Sequence, residues 1–150
     1  MSSHEPILLI EDNLSDIKNI TDALKAAEVK SPLIHITTCD EALVYFNNKK
    51  NLPPWLILLG LNEQESKGLN FLKTIKADDN LRQIPVVIFA LSNEQQNVVK
   101  SFKHGVAGYI VKSEAFSKLN ETIKTIIQYW SLSELPPVGE RYCEDPCYCS

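Results

Sequence analysis

Apolar residues fall into two alternating patterns along the chain. Five short, nearly continuous apolar runs, Ile7–Ile10, Leu33–Thr37, Trp55–Leu59, Val86–Phe89 and Tyr109–Val111, predict strands buried on both faces of a parallel sheet. The stretches between them carry a helical period. Ile17, Ile20, Leu24 and Ala27 share one helical face, and Phe116, Leu119, Ile123, Ile126, Ile127 and Trp130 form the longest apolar stripe. Thr38-Cys39-Asp40-Glu41 and Ser92-Asn93-Glu94-Gln95 both predict a capping box, the first residue capping a helix and the later acidic or amide side chain reaching back. Gly105 suits a helix stop that needs a left-handed residue. After Trp130 the period ends: residues 131–150 contain Pro136, Pro137 and Gly139 and predict a tail, docked at its start and mobile beyond. There is no internal repeat.

Strands that alternate with helices give βαβ units, an α/β class and a doubly wound parallel sheet. Sites in such sheets form outside the carboxyl ends of the strands, near the topological switch point. Glu11, Asp12, Gly60, Ala90 and Lys112 all stand at predicted strand ends, so these five positions are where chemistry is expected.

Composition narrows the function classes. The chain has 150 residues, enough for one domain with a sizeable core. A net charge of −4 argues against nucleic acid, whose phosphates call for clustered Lys and Arg. No apolar stretch approaches the roughly 20 residues of a membrane span. The start, Met1-Ser2-Ser3-His4-Glu5-Pro6, lacks the basic-then-apolar pattern of a secretory signal. A cytoplasmic location with reduced thiols is the expectation.

Three segments carry a family resemblance: Leu9-Ile10-Glu11-Asp12-Asn13, the run Lys76-Ala77-Asp78-Asp79-Asn80-Leu81-Arg82-Gln83-Ile84-Pro85-Val86-Val87, and Tyr109-Ile110-Val111-Lys112. Across residues 6–130 the chain resembles a CheY-like response regulator receiver domain, closest to the phytochrome-linked regulators of cyanobacteria. The resemblance implies a flavodoxin-like sheet of order 2-1-3-4-5, a receiver domain over residues 1–130 and a tail over 131–150. It also places the family's functional residues. The Mg²⁺-holding acidic pair falls on Glu11 and Asp12, and the phosphorylated aspartate falls on Gly60. The metal-binding carbonyl falls on Asn62, the switch hydroxyl on Ala90, the switch aromatic on Tyr109 and the lysine on Lys112. Ser113 stands where the family has a proline.

Three departures share a direction. Gly60 offers no nucleophile to a phosphoryl donor. Ala90 has no hydroxyl to grip a phosphoryl oxygen. Ser113 removes an X-Pro bond that the family keeps cis; because a cis bond before another residue costs roughly 3 kcal/mol, a trans bond and a shifted loop are expected. Mg²⁺ binding through Glu11, Asp12 and Asn62 is expected to be weak or absent, since a third carboxylate is gone. Lys112, freed of its aspartate, is expected to pair with Asp12 as a structural counter-ion. Tyr109 reads as half-buried packing.

These residues imply a two-component signalling protein that is not an enzyme. It acts as a phosphorylation-independent interaction module for a histidine kinase, phytochrome-like or other, or for another signalling protein. The contact face implied by the resemblance is the fourth helix, fifth strand and fifth helix, used for partners and for homodimers, with Tyr129 and Trp130 as anchors. A second reading is a phospho-switch with a displaced acceptor at Glu63, Glu65 or Ser66, residues otherwise read as a solvated loop turned by Gly68. A third is a small-ligand or flavin-binding flavodoxin-like protein; the charges of Glu11 and Asp12 oppose it, because they would repel a flavin phosphate. Cys143, Cys147 and Cys149 in the tail lack a second ligand pair for zinc and read as plain thiols.

Overall fold

Alternation along each strand turns the five apolar runs into a two-sided core. Leu8, Ile10, Ile57, Leu59, Leu61, Val86, Ile88 and Ala90 join one buried cluster, while Ile7, Leu9, Leu56, Leu58, Val87 and Phe89 join the other. Successive side chains of a strand point to opposite faces, so a sheet covered on both sides needs apolar residues at every position. The computed structural model describes residues 5–61, 65–91, 95–112 and 118–132. Five strands, β1 (Ile7–Ile10), β2 (Leu33–Ile36), β3 (Leu56–Leu61), β4 (Val86–Ala90) and β5 (Gly108–Val111), form one sheet of order β2-β1-β3-β4-β5. Every neighbouring pair is parallel, which is the doubly wound, CheY-like arrangement expected from the sequence.

The helices are α1 (Leu14–Ala26), α2 (Cys39–Asn47), α3 (Glu65–Ala77), α4 (Gln95–Lys103) and α5 (Leu119–Leu132). Ile20, Ala23 and Leu24 of α1 and Leu119 and Ile123 of α5 cover one face of the sheet. Ala42 of α2 and Phe71, Leu72 and Ile75 of α3 cover the other. Thr38 caps α2, its Oγ1 accepting from the Glu41 amide at 3.1 Å. Asn13 caps α1 in the same way, its Oδ1 accepting from the Asp16 amide at 3.0 Å, a cap the apolar pattern alone does not reveal.

Several details differ from the sequence expectations. β3 runs through Gly60 to Leu61, because Gly60 and Leu61 keep register with Phe89 and Ala90. Glu65, Ser66 and Gly68 belong to α3 rather than to a loop, and Gly68 is not a turn. A Cβ at Gly68 would overlap Leu61 Cδ2, so its bareness admits the end of β3 against the helix. Trp130 packs against the α1/α5 core cluster, which leaves Tyr129 as the exposed member of that aromatic pair. Asn62, Glu63, the cap at Ser92, Ser113, Phe116 and the tail cysteines lie outside the described residues.

Two helices stop in the same way. Gly105, at φ 83°, follows α4, with the Val106 amide donating to Ser101 O and the Gly105 amide donating to Phe102 O. Those two bonds make a Schellman stop. The same pair closes α1, from Val29 to Leu24 O and from Glu28 to Lys25 O, but the left-handed residue there is Glu28 at φ 55°. A side chain with a Cβ is disfavoured in that conformation by about 1 kcal/mol or more. Glu28→Gly is therefore expected to stabilise the fold by about 0.5–1 kcal/mol, read as a raised urea midpoint at unchanged slope. An unchanged or lowered midpoint would show that Glu28 carries no strain.

Candidate functional site

Register explains why residues far apart in sequence meet. Ile10 pairs with Leu59 across β1 and β3, so Glu11 and Gly60 stand side by side one step beyond. Ala90 pairs with Val111 across β4 and β5, so Lys112 also lies one step beyond the ladder. Alternation then sorts these groups by face. Ile7 and Leu9 face α1 and α5, and so does Ile110, which sends Glu11 and Lys112 to that side. Ala90 and Tyr109 belong to the opposite cluster, with Tyr109 half-buried against it.

The Glu11 side chain does not reach into solvent. It folds over Gly60, and Glu11 is only 1% exposed. An ideal Cβ built on Gly60 would lie 2.6 Å from Glu11 Oε1, 2.7 Å from its Cδ and 2.8 Å from Oε2. Real Cβ atoms do not approach so closely, so the carboxylate occupies the volume that a side chain at position 60 would need. Gly60 lies within a regular strand and has no left-handed φ, so its backbone does not demand glycine; a Cβ there would instead require the end of the Glu11 side chain to shift out of its hydrogen bonds.

That carboxylate is held on both oxygens. Oε2 accepts from the Asp12 amide at 3.0 Å and the Asn13 amide at 3.4 Å. Oε1 accepts from Lys112 Nζ at 2.5 Å. The Glu11 main chain is clamped as well, its amide donating to Ile36 O at 3.1 Å and its carbonyl accepting from His35 Nε2 at 2.9 Å. Lys112 is 5% exposed, and its Nζ also donates to Asp16 Oδ2 at 2.7 Å. The expected partner was Asp12. The ion pairs at these distances run instead to Glu11 and Asp16, because alternation turns Glu11 towards the α1 side and places its neighbour Asp12 on the other.

Asp16 is the residue that the sequence reading missed. It sits in the first turn of α1, where the positive end of the helix dipole suits a carboxylate. An acid one helical turn after an acidic strand end was the available signal.

Beside this cluster opens a cleft of about 510 Å³ lined by Asp12, Thr38, Asp40, Gly60, Lys67 and Leu91, among others. Cys39 also lines it, and its thiol is pushed up to about 11, first by burial and then by the nearby Asp40 charge. A thiol so poor in thiolate is a weak nucleophile at neutral pH.

The donors fit a divalent cation poorly. Mg²⁺ wants hard oxygen ligands in octahedral geometry. Position 60 supplies none from a side chain, Glu11 is already committed to an ammonium at 2.5 Å, and Asp12 is exposed. No group of three or more His, Cys, Asp or Glu side chains is placed to hold a metal ion among the described residues. A cation bound to Glu11 would also sit against the Lys112 charge.

Removing one member of a buried charge cluster leaves the others uncompensated. Lys112→Met is expected to destabilise the fold by about 3–5 kcal/mol, because Glu11 and Asp16 both lose their counter-ion. Urea unfolding monitored by circular dichroism measures it. A loss below about 1 kcal/mol would mean that the cluster is solvated like a surface pair.

Comparison with known proteins follows the same lines. A family profile described as response regulator receiver domain matches residues 7–124. The response regulator Rcp1 of Synechocystis sp. is 30% identical over 128 residues, covering 83% of this chain and 87% of that protein. The crystal structure of the phosphorylated cyanobacterial phytochrome response regulator RcpA superposes with a TM-score of 0.77 at 34% identity, over 89% of this chain and 99% of that one. The Mn²⁺-bound form of Rcp1 gives a TM-score of 0.78 at 28% identity, over 88% of this chain and 99% of that one. The sheet order, the strand-end residues and the extent of these matches together make this chain a member of the response regulator receiver family.

Proposed function

We propose that this receiver has exchanged its phosphorylation site for a permanent ion cluster and works as a phosphorylation-independent protein-interaction module. The observation that carries the reading is the Glu11 carboxylate lying where a side chain at position 60 would be, paired with Lys112 at 2.5 Å. A phosphorylatable receiver needs a carboxylate nucleophile at that strand end, and Gly60 supplies none. Ala90, fully buried at the end of β4, has no hydroxyl to follow a phosphoryl group. A ligand shifts a conformational equilibrium only through differential affinity for the two states. With no covalent ligand to bind, the equilibrium is set by the chain itself, and neither Mg²⁺ nor catalysis is required of it.

Output is then by contact. Phe102 on α4 and Tyr129 on α5 are half or more exposed, at 50% and 62%, and their helices flank the edge strand β5. Exposed aromatic residues are the side chains that most often anchor interfaces. The partner is a histidine kinase or another signalling protein, and the kinship with phytochrome response regulators favours a phytochrome-like kinase. A homodimer through α4, β5 and α5 would use the same surface.

The test is intact mass after incubation with acetyl phosphate and Mg²⁺. The native chain is expected to gain no phosphoryl group, at Glu63, Glu65, Ser66 or elsewhere. A phosphorylated native chain would overturn the reading, and peptide mapping of the modified residue would then establish a phospho-switch with a displaced acceptor.

A further inference from the structure

At the opposite end of the sheet from the Glu11–Lys112 cluster, the last turns of α3 and α4 flank a shallow, open cleft of about 530 Å³ lined by Lys73, Lys76, Arg82, Lys103 and His104. Five basic side chains around one hollow are unexpected in a chain whose net charge is −4. Attraction of cations to helix carboxyl ends accounts for Lys76 and Lys103. It does not account for Arg82, which follows α3 in a loop, nor for the hollow itself. Lys76 serves the fold: its Nζ donates to Arg82 O at 2.8 Å and to Ile84 O at 2.9 Å, and its stem lies across Gly105. Arg82 is shared with Asp79 at 3.0 Å. Lys73, Lys103 and His104 make no side-chain hydrogen bond or ion pair among the described residues. The cleft therefore keeps cationic groups to spare.

The charge that would balance it lies on the same chain. Residues 133–150 contain Glu134, Glu140, Glu144 and Asp145 against a single Arg141, so this segment carries three of the four net negative charges of the protein. The helix before it, α5, ends at Leu132 on the same end of the sheet as the cleft, because each helix of a βα unit runs back to the end where the strands start. Glu144 lies twelve positions beyond Leu132. Extended chain spans about 40 Å over that length, roughly the diameter of a domain of this size. A tethered segment is also present at an effective concentration on the order of millimolar, enough for weak contacts to form.

We propose that the acidic segment from Glu140 to Asp145 docks in the basic cleft between α3 and α4. The contact is electrostatic and exposed, so it is salt-sensitive.

Zero-length carbodiimide cross-linking of the full chain, followed by peptide mapping, tests this. At low salt, cross-links from Glu140, Glu144 or Asp145 to Lys73 and Lys103 are expected to outnumber those to Lys18 and Lys67, which lie on other parts of the surface. They should be lost at 1 M salt, where the screening length falls to about 3 Å. They should also be lost from Glu140→Gln/Glu144→Gln/Asp145→Asn, which leaves the folded domain untouched. Three results would overturn the proposal: tail acids coupled evenly to lysines over the whole surface, coupling only between two chains in a mixed-isotope sample, or preferred coupling to Lys73 and Lys103 that persists at 1 M salt.

Discussion

A lysine ammonium taken out of water must be matched by negative charge and by hydrogen-bond acceptors, or the fold pays several kcal/mol for it. Lys112 is buried at the end of β5, and the rest of the site follows from that requirement. In this chain the match comes from Glu11 on β1 and Asp16 on α1. Glu11 reaches the ammonium across the space above position 60, which glycine leaves open. The bare position 60 and the inward turn of Glu11 are thus one arrangement seen from two residues. The same arrangement ties β1, α1 and β5 together at the carboxyl end of the sheet.

The cluster is a product of register. Parallel pairing of β1 with β3 and of β4 with β5 sets the strand ends level, and the period-2 alternation decides which of the residues beyond them face α1. Glu11 and Lys112 share that face, whereas Asp12 stands on the other side, in the neighbouring cleft. Ala90 and Tyr109 lie with the α2/α3 core. Away from the cluster, Phe102 on α4 and Tyr129 on α5 stand exposed.

Much of this was legible in the residues alone. Continuous apolar runs and intervening helical stripes gave the strand and helix order, because a doubly covered parallel sheet writes itself into the sequence as runs such as Leu8 to Ile10 and Leu56 to Leu59. Thr38 and Gly105 marked a helix start and a helix stop through chemistry that few other residues supply. The partner of Lys112 was harder to read. Adjacent acids at positions 11 and 12 differ only by strand parity, and choosing between them requires knowing where β1 ends to within one residue. Asp16 was hidden because its role depends on the Lys112 side chain reaching α1 from the end of β5, a contact between residues 96 apart in sequence. Gly68 misled because glycine is a turn residue by habit, while here it makes room for Leu61 inside a helix.

The central claim, that the Glu11 carboxylate and a side chain at position 60 compete for one volume, is tested most directly by a double-mutant cycle. Gly60→Ala, Glu11→Ala and the double variant would be compared by urea unfolding. Distant, independent sites add within about 0.3–0.5 kcal/mol, whereas groups in contact couple by about 0.5–3 kcal/mol. The account predicts that Gly60→Ala is costly in the native background and costs at least about 1 kcal/mol less once Glu11 is truncated. Additive effects would mean that Glu11 does not fill the space above Gly60, and the proposed exchange of a phosphorylation site for an ion cluster would lose its support.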